Sequence, residues 1–298
     1  MRIERLSLNA VPKENPGVSL CLGTFDGLHL GHLSLIKKAL DCAEKEMGVM
    51  VFSKNPQEFI PLGKSPKVLT SLEDKVRILQ GYNVDVLYVL DSTPELFSLN
   101  KDDFIKRFLT PIKPRRLIVG SDYAYGYKGE GKVNDLRKDF DVVEVPILNK
   151  DGAKVSTQRI ISLLSSKKID EANALLGRDY EITGKVVHGF MNGRKIGFPT
   201  ANISLSTNYA LPGTGVYRGV CYSRGIPYPS IVNVGTNPTI GKLASPIVEA
   251  YLDGENNDIY GETIYCAFDS FLRDEKKFES LDELKAQLVK DRRCLYTV

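Results

Sequence analysis

Two of the three histidines in the chain lie in one short string, Gly23-Thr24-Phe25-Asp26-Gly27-Leu28-His29-Leu30-Gly31-His32. The string follows a β-rich apolar run, Val18 to Gly23, of the kind that forms a buried parallel strand. It leads into apolar positions at helical spacing: Leu33, Ile36, Leu40, Ala43 and Met47, with Gly48 where a C-terminal cap is expected. Such a junction receives phosphate well, because free backbone N–H groups and the positive end of the helix dipole point at it. Asp26-Gly27 makes the turn, and Gly31 lets the backbone approach a ligand. His29 and His32 fall on one side of a first helical turn, where imidazoles can hydrogen-bond phosphate oxygens as charge develops in phosphoryl or nucleotidyl transfer.

The string from Gly184 to Asn202, GKVVHGFMNGRKIGFPTAN, is the second candidate. Gly184, Gly189, Gly193 and Gly197 supply backbone that can curl around phosphates, at a spacing that is neither a Walker loop nor the kinase GxGxxG pattern. In extended backbone Thr200 and Asn202 face the same way, and both carry hard oxygen ligands of the kind Mg²⁺ accepts beside nucleotide phosphates. Taken alone, PTAN is equally a turn with a local Asx hydrogen bond.

The elements that must position these residues differ between the halves. In the first, strands at 18–23, 49–52, 85–90, 117–120 and 142–147 alternate with helices around 71–80, 101–109 and 157–166, which implies a parallel sheet covered on both faces. After IDEANALLG (169–177) come short β-rich runs separated by turn residues: ITGKVVH, GVYRGVCYS, SIVNVG, IVEAYLD and ETIYCAF. That pattern suggests an antiparallel barrel or sandwich. Ser280 and Glu283 form a capping box for a last helix, with Leu281, Leu284 and Leu288 as its buried stripe. The expected class is α/β plus all-β, with domains at 1–176 and 177–298.

The 298 residues suit two domains, and a net charge of +3 without a concentrated basic face argues against a nucleic-acid partner. No segment approaches the roughly 20 apolar residues that span a bilayer. The five cysteines are odd in number and form no CxxC pair, against both a disulfide framework and a zinc site. A cytoplasmic protein is expected, with self-association left open.

The longer pattern GxFDGxHxGH resembles bacterial bifunctional riboflavin kinase/FAD synthetases, within the HxGH nucleotidylyltransferases. LTSLEDKVRIL (69–79) and VGSDYAYGYKGEG (119–131) extend the likeness. The second half is similar to the riboflavin kinase signature GxVxxGxxxGRxLGFPTAN, followed in order by PGTGVY, NVGTNPTI, VEAYLD, IYGE and FLRDEKKF. The resemblance implies a doubly wound, Rossmann-like N-terminal domain and a six-stranded C-terminal barrel. It implies two reactions: ATP and riboflavin give FMN, then ATP and FMN give FAD and pyrophosphate. By position, His29 and His32 stabilise the adenylyl-transfer transition state, and Gly23, Phe25, Asp26, Gly31, Ser156 and Thr157 surround that ATP. Asp122, Tyr123 and Tyr125 hold the flavin. In the kinase, Glu249 is the catalytic base, Thr200 and Asn202 ligate Mg²⁺ and phosphates, Gly184, Gly189 and Gly197 line ATP, and Arg273 and Phe278 close over the flavin.

Three positions depart from the pattern. Asn55-Pro56 stands where His-Pro is common, and Tyr251 where histidine is usual. Ile161, in VSTQRII, occupies the place of a phosphate-binding arginine, and isoleucine has no donor. Three other readings stay open on sequence alone. One is a kinase with a weakened or flavin-sensing N-terminal domain; another is a flavin-binding regulator without turnover. The last is an HxGH transferase acting on a different acceptor.

Overall fold

The computed structural model describes residues 1–59, 66–188, 197–237 and 245–296. The chain divides into two compact units, Met1–Thr157 and Gln158–Val298.

The first unit is built on a six-stranded sheet of β1 (Arg2–Leu6), β2 (Val18–Leu22), β3 (Glu46–Phe52), β4 (Val86–Leu90), β5 (Arg116–Gly120) and β8 (Val142–Val145). The spatial order is β1-β4-β3-β2-β5-β8, with every pairing parallel. Two small antiparallel pairs accompany it: β6 (Ala124–Tyr125) with β7 (Gly131–Lys132), and β9 (Asn149–Lys150) with β10 (Ala153–Lys154). All five residues of β2 and of β4 are buried, as in strands with helices on both faces. Leu20, Tyr88 and Leu117 pack with Phe104 and Phe108 on one face; Cys21, Val49 and Leu87 pack with Ile36 and Leu79 on the other.

Strand β1 was not expected from the sequence, since only Leu6 of its five residues is buried. It is an edge strand, held by parallel pairing with β4 from Arg2↔Val86 to Leu6↔Leu90. The helix expected to run through Met47 ends at Cys42, where Ala43 turns to an extended backbone. Met47 and Gly48 belong to β3 instead. A Cβ at Gly48 would stand 2.8 Å from Val18 and 3.1 Å from Leu20, so close strand packing, not a helix cap, requires glycine there.

The second unit is a closed antiparallel barrel of β11 (Tyr180–Val187), β12 (Thr200–Leu205), β13 (Gly215–Ser223), β14 (Ile226–Asn237), β15 (Ser245–Leu252) and β16 (Thr263–Arg273). The order around the ring is β11-β12-β15-β14-β13-β16. The helices Thr157–Ser165 and Ile169–Leu176 precede it. The compact units therefore part ahead of the expected 176/177 boundary, because these helices dock on the barrel. Asn173 Nδ2 donates to Phe268 O at 2.8 Å, Asn173 Oδ1 accepts from Tyr180 N at 2.8 Å, and Gly213 N donates to Leu164 O at 2.9 Å.

The helix Leu281–Arg293 starts at Ser280 as expected, with Ser280 Oγ accepting from Glu283 N at 3.2 Å, but the expected capping box is only half formed, because Glu283 Oε2 accepts from Glu279 N at 3.2 Å. Its stripe differs from expectation: Leu281 is 54% exposed, while Leu288 and the following Leu295 pack against Phe198, Val216, Ile231 and Tyr251. The expected stripe began one turn too early.

Candidate functional site

In the first unit the chain leaves β2 through Gly23 and enters a left-handed conformation at Phe25 (φ 49°). Asp26 and Gly27 (φ 80°) complete a sharp turn, and His29 is the N-cap of the helix Leu30–Cys42. His29 Nδ1 accepts from His32 N at 3.3 Å, and the two imidazoles stack with centroids 3.7 Å apart and planes 13° from parallel. The side-by-side arrangement expected from their spacing is present, with Phe25 tilted against His32 at 5.2 Å. A Cβ at Gly31 would lie 3.1 Å from the His29 ring, so glycine keeps that ring in place.

The turn is held by hydrogen bonds to the buried Asp26 and by the buried Lys75, which the sequence reading did not single out. Asp26 Oδ1 accepts from Leu69 N (2.9 Å), Thr70 N (3.0 Å) and Thr70 Oγ1 (3.1 Å). Lys75, on the helix Leu72–Gln80, donates to Thr24 O at 2.9 Å. Burial raises the Asp26 carboxyl above its ordinary value and lowers Lys75, each opposed by the charge of the other. Thr157 Oγ1 donates to Asp26 O at 3.1 Å, which brings Thr157 and the half-buried Ser156 beside the turn. The string LTSLEDK carried this signal, since a lysine at helical spacing from apolar positions invites a question about its counter-charge.

The flavin candidates are spread differently. Asp122 is exposed and paired with Lys154, while Tyr125 is buried against Phe104, its ring 5.9 Å from that of Tyr123. Burial pushes both phenols well above their ordinary range. Tyr125 is thus a core residue beneath the loop, and Tyr123 is its half-buried neighbour.

In the barrel, Thr200 and Asn202 both lie on β12 and face the same side. Asn202 is the cross-strand partner of Glu249, and Thr200 that of Tyr251, both on β15. Directly opposed side chains have Cβ atoms about 5 Å apart, so one patch holds a hydroxyl, an amide and a carboxylate. Glu249 is half-buried, and desolvation raises its carboxyl above the ordinary value. The phenol of Tyr251, pushed up to about 12 mainly by burial, donates to Asp253 Oδ1 at 2.8 Å. Asp253 also accepts from Arg292 Nε at 3.0 Å and Tyr296 Oη at 2.6 Å, tying the end of β15 to the Leu281–Arg293 helix. A cavity of about 370 Å³ lies there, lined by Gly197, Pro199, Leu252, Asp253, Arg292 and Tyr296.

Gly184 belongs to the barrel rather than to a loop: a Cβ there would stand 2.5 Å from both Ile203 Cγ2 and Ser204 O. Gly197 is exposed with φ +83° and open space around it. Gly189 and Gly193 lie outside the described residues. Arg273 is held by Asp291, with contacts of 2.7 to 3.1 Å, and Phe278 lies under Lys276 Nζ at 5.8 Å.

Each unit therefore presents a polar site on a fold of its own, a histidine pair at a helix N-terminus in the first and a hydroxyl–amide–carboxylate row in the barrel, and the family matches make the class a two-unit nucleotide-dependent transferase. The profile described as riboflavin kinase matches residues 176–296, and that described as FAD synthetase matches 11–159. The chain belongs to the family of bifunctional riboflavin kinase/FMN adenylyltransferases. A member from Listeria monocytogenes is 36% identical, over 91% of this chain and 89% of its own. One from Bacillus subtilis is 33% identical, over 95% and 92%. A solved structure described as a macrolide-efflux protein from Streptococcus pneumoniae is 28% identical with a TM-score of 0.89, covering all of both chains. No helix among the described residues is long and apolar enough to cross a membrane.

Proposed function

We propose that the barrel unit transfers the γ-phosphate of ATP to the 5′-hydroxyl of riboflavin, and that the first unit joins the resulting FMN to AMP from a second ATP, releasing pyrophosphate. The register Asn202↔Glu249 carries the kinase reading, because it sets a base beside oxygen ligands on one surface. Glu249 takes the proton of the attacking hydroxyl. Its raised affinity for protons suits a general base, which works best when its pKa lies near the operating pH. A cation here would be shared between the protein and the nucleotide, as Mg²⁺ commonly is beside phosphates. Thr200 and Asn202 fit Mg²⁺ in that role as neutral hard donors, and the ion would neutralise charge on the phosphates. The cavity beside Pro199 is the place for the rest of the nucleotide.

In the first unit, His29 and His32 at a helix N-terminus meet the triphosphate. Their stacked rings lie side by side at that end of the helix, which suits donation to phosphate oxygens as charge builds on pyrophosphate. Asp122 and Tyr123 are the flavin side of that unit, backed by Tyr125 in the core beneath, and Arg273 and Phe278 that of the kinase. The free cysteines fit action in the cytoplasm.

Incubating the purified chain with riboflavin, ATP and Mg²⁺ and separating the flavins tests the whole reading; FMN is expected first and FAD after it. Glu249→Gln should lower FMN formation by about 10²-fold or more with little change in riboflavin binding. His29→Ala with His32→Ala should abolish FAD formation from supplied FMN and spare the kinase. Loss of both activities in either variant would show unfolding instead, and unchanged activity would remove the role.

A further inference from the structure

The row that joins Asn202 to Glu249 continues one strand further. On β14, Asn233 is the cross-strand partner of Glu249, so the carboxylate stands between two amides. Beyond Asn233 the row meets Val216 of β13, part of the apolar cluster with Ile231 and Tyr251. The Oδ1 of Asn233 is closed off from solvent and accepts no hydrogen bond. A shielded acceptor is costly to leave unmet, and such atoms in native proteins call for an explanation. An ionised Glu249 cannot supply the missing donor, since a carboxylate only accepts.

A second observation sets Asn233 near the segment that the resemblance gives to the flavin. Two residues along β14, a Cβ at Gly235 would lie 2.5 Å from Glu275 Oε1 and 3.6 Å from Asn233 Nδ2. Glu275 lies between Arg273, the last residue of β16, and Phe278. Asn233 thus lies between the base and the segment assigned to the flavin ring. The part of riboflavin that joins its ring to the reacting hydroxyl is a polyhydroxylated chain, in which every hydroxyl is a donor.

We propose that Asn233 is a substrate-positioning residue of the kinase, its Oδ1 accepting a hydrogen bond from the 4′-hydroxyl of riboflavin while Glu249 faces the neighbouring 5′-hydroxyl. The inference rests on Glu249 as the base. Such a contact fixes the polyol chain, and a site built to bond a hydroxyl rejects the analogue that lacks it.

The test compares riboflavin with 4′-deoxyriboflavin, which keeps the hydroxyl to be phosphorylated. The native chain should favour riboflavin in kcat/KM by about five- to tenfold, the worth of one neutral hydrogen bond. Asn233→Leu, similar in shape but without the acceptor, should abolish that preference with the KM for ATP and the Mg²⁺ requirement unchanged. Asn233→Ser, with a shorter and mispositioned oxygen, should reduce the preference, and gives the answer if the leucine variant fails to fold. A native chain that does not discriminate, or a variant that still does, overturns the proposal. So does a raised Mg²⁺ requirement with discrimination intact, which would put Asn233 on the metal side. Glu249→Gln is measured in parallel: its full activity would sink the assignment of the base, whereas its inactivity beside intact discrimination in Asn233→Leu sinks this inference alone.

Discussion

Glu249 illustrates how one side chain depends on its surroundings. A free glutamate would be ionised throughout the working range, but burial raises its pKa, so the protonated and inactive form persists to higher pH. The kinase should therefore lose kcat/KM as pH falls through that raised value, earlier than an ordinary carboxylate requires, while FAD formation from FMN does not share this limb. A pH–rate profile of each reaction checks it, and coincident acid limbs would count against Glu249. Ile161 makes a second residue-scale prediction. Without an arginine, FAD formation should be slow, and Ile161→Arg should speed it about tenfold or more, the effect of one charge-assisted hydrogen bond. Equal rates in the two chains would show that the arginine is not needed here. Both positions could be read from the sequence by their place in a pattern; Asn233 could not, because its register opposite Glu249 is invisible until the strands are paired.

Between elements, the turn from Gly23 to His29 is fixed from outside, by Leu69, Thr70 and Lys75. Lys75→Met removes the positive charge that opposes the desolvation of the buried Asp26 carboxyl, and the hydrogen bond to Thr24 O, so it should lower stability. Adding Asp26→Asn should recover part of that loss. Thermal melting of both variants measures it, and additive losses would mean the two charges do not interact. Gly184 gives the contrasting case in the barrel. Its missing side chain makes room for Ile203 and Ser204, so Gly184→Ala should lower the melting temperature without selectively raising the KM for ATP. A stable variant with weakened ATP binding would return Gly184 to the phosphate site. The sequence showed that these glycines matter, but not whether neighbour or ligand forbids a side chain. Gly48 and Leu281 were misread for the same reason: local spacing was followed where strand packing and the position of the barrel decide.

For the molecule as a whole, two units with separate cores and separate chemistry were legible, because the apolar period changes from alternating strands and helices to strands alone. The riboflavin kinase profile begins at 176, beside the expected 176/177 boundary, whereas the compact units part at 157/158. Helices 157–165 and 169–176 look from sequence like the end of the first half, yet Leu164 O accepts from Gly213 N, Asn173 Nδ2 donates to Phe268 O, and Ile169, Leu175 and Leu176 are buried in the second unit. A fragment of residues 158–298 should fold and phosphorylate riboflavin, whereas 177–298 should be poorly soluble and inactive, since it exposes the apolar surface under those helices. Circular dichroism and an FMN assay on both fragments decide this, and a fully active 177–298 would show that the helices are dispensable.

The ring of strands carries one more consequence, for chain length. Every barrel strand has a neighbour on each side, so no strand can slip by a residue and leave the mismatch at an open edge. Thr200, Asn202, Glu249 and Asn233 share a face only in the present register, and a shift of one would turn a strand's members of that set inward. Single-residue deletions inside β12, β14 or β15 should therefore silence the kinase even where substitutions at the same positions are tolerated, while the turn at Arg224-Gly225 should accept added residues.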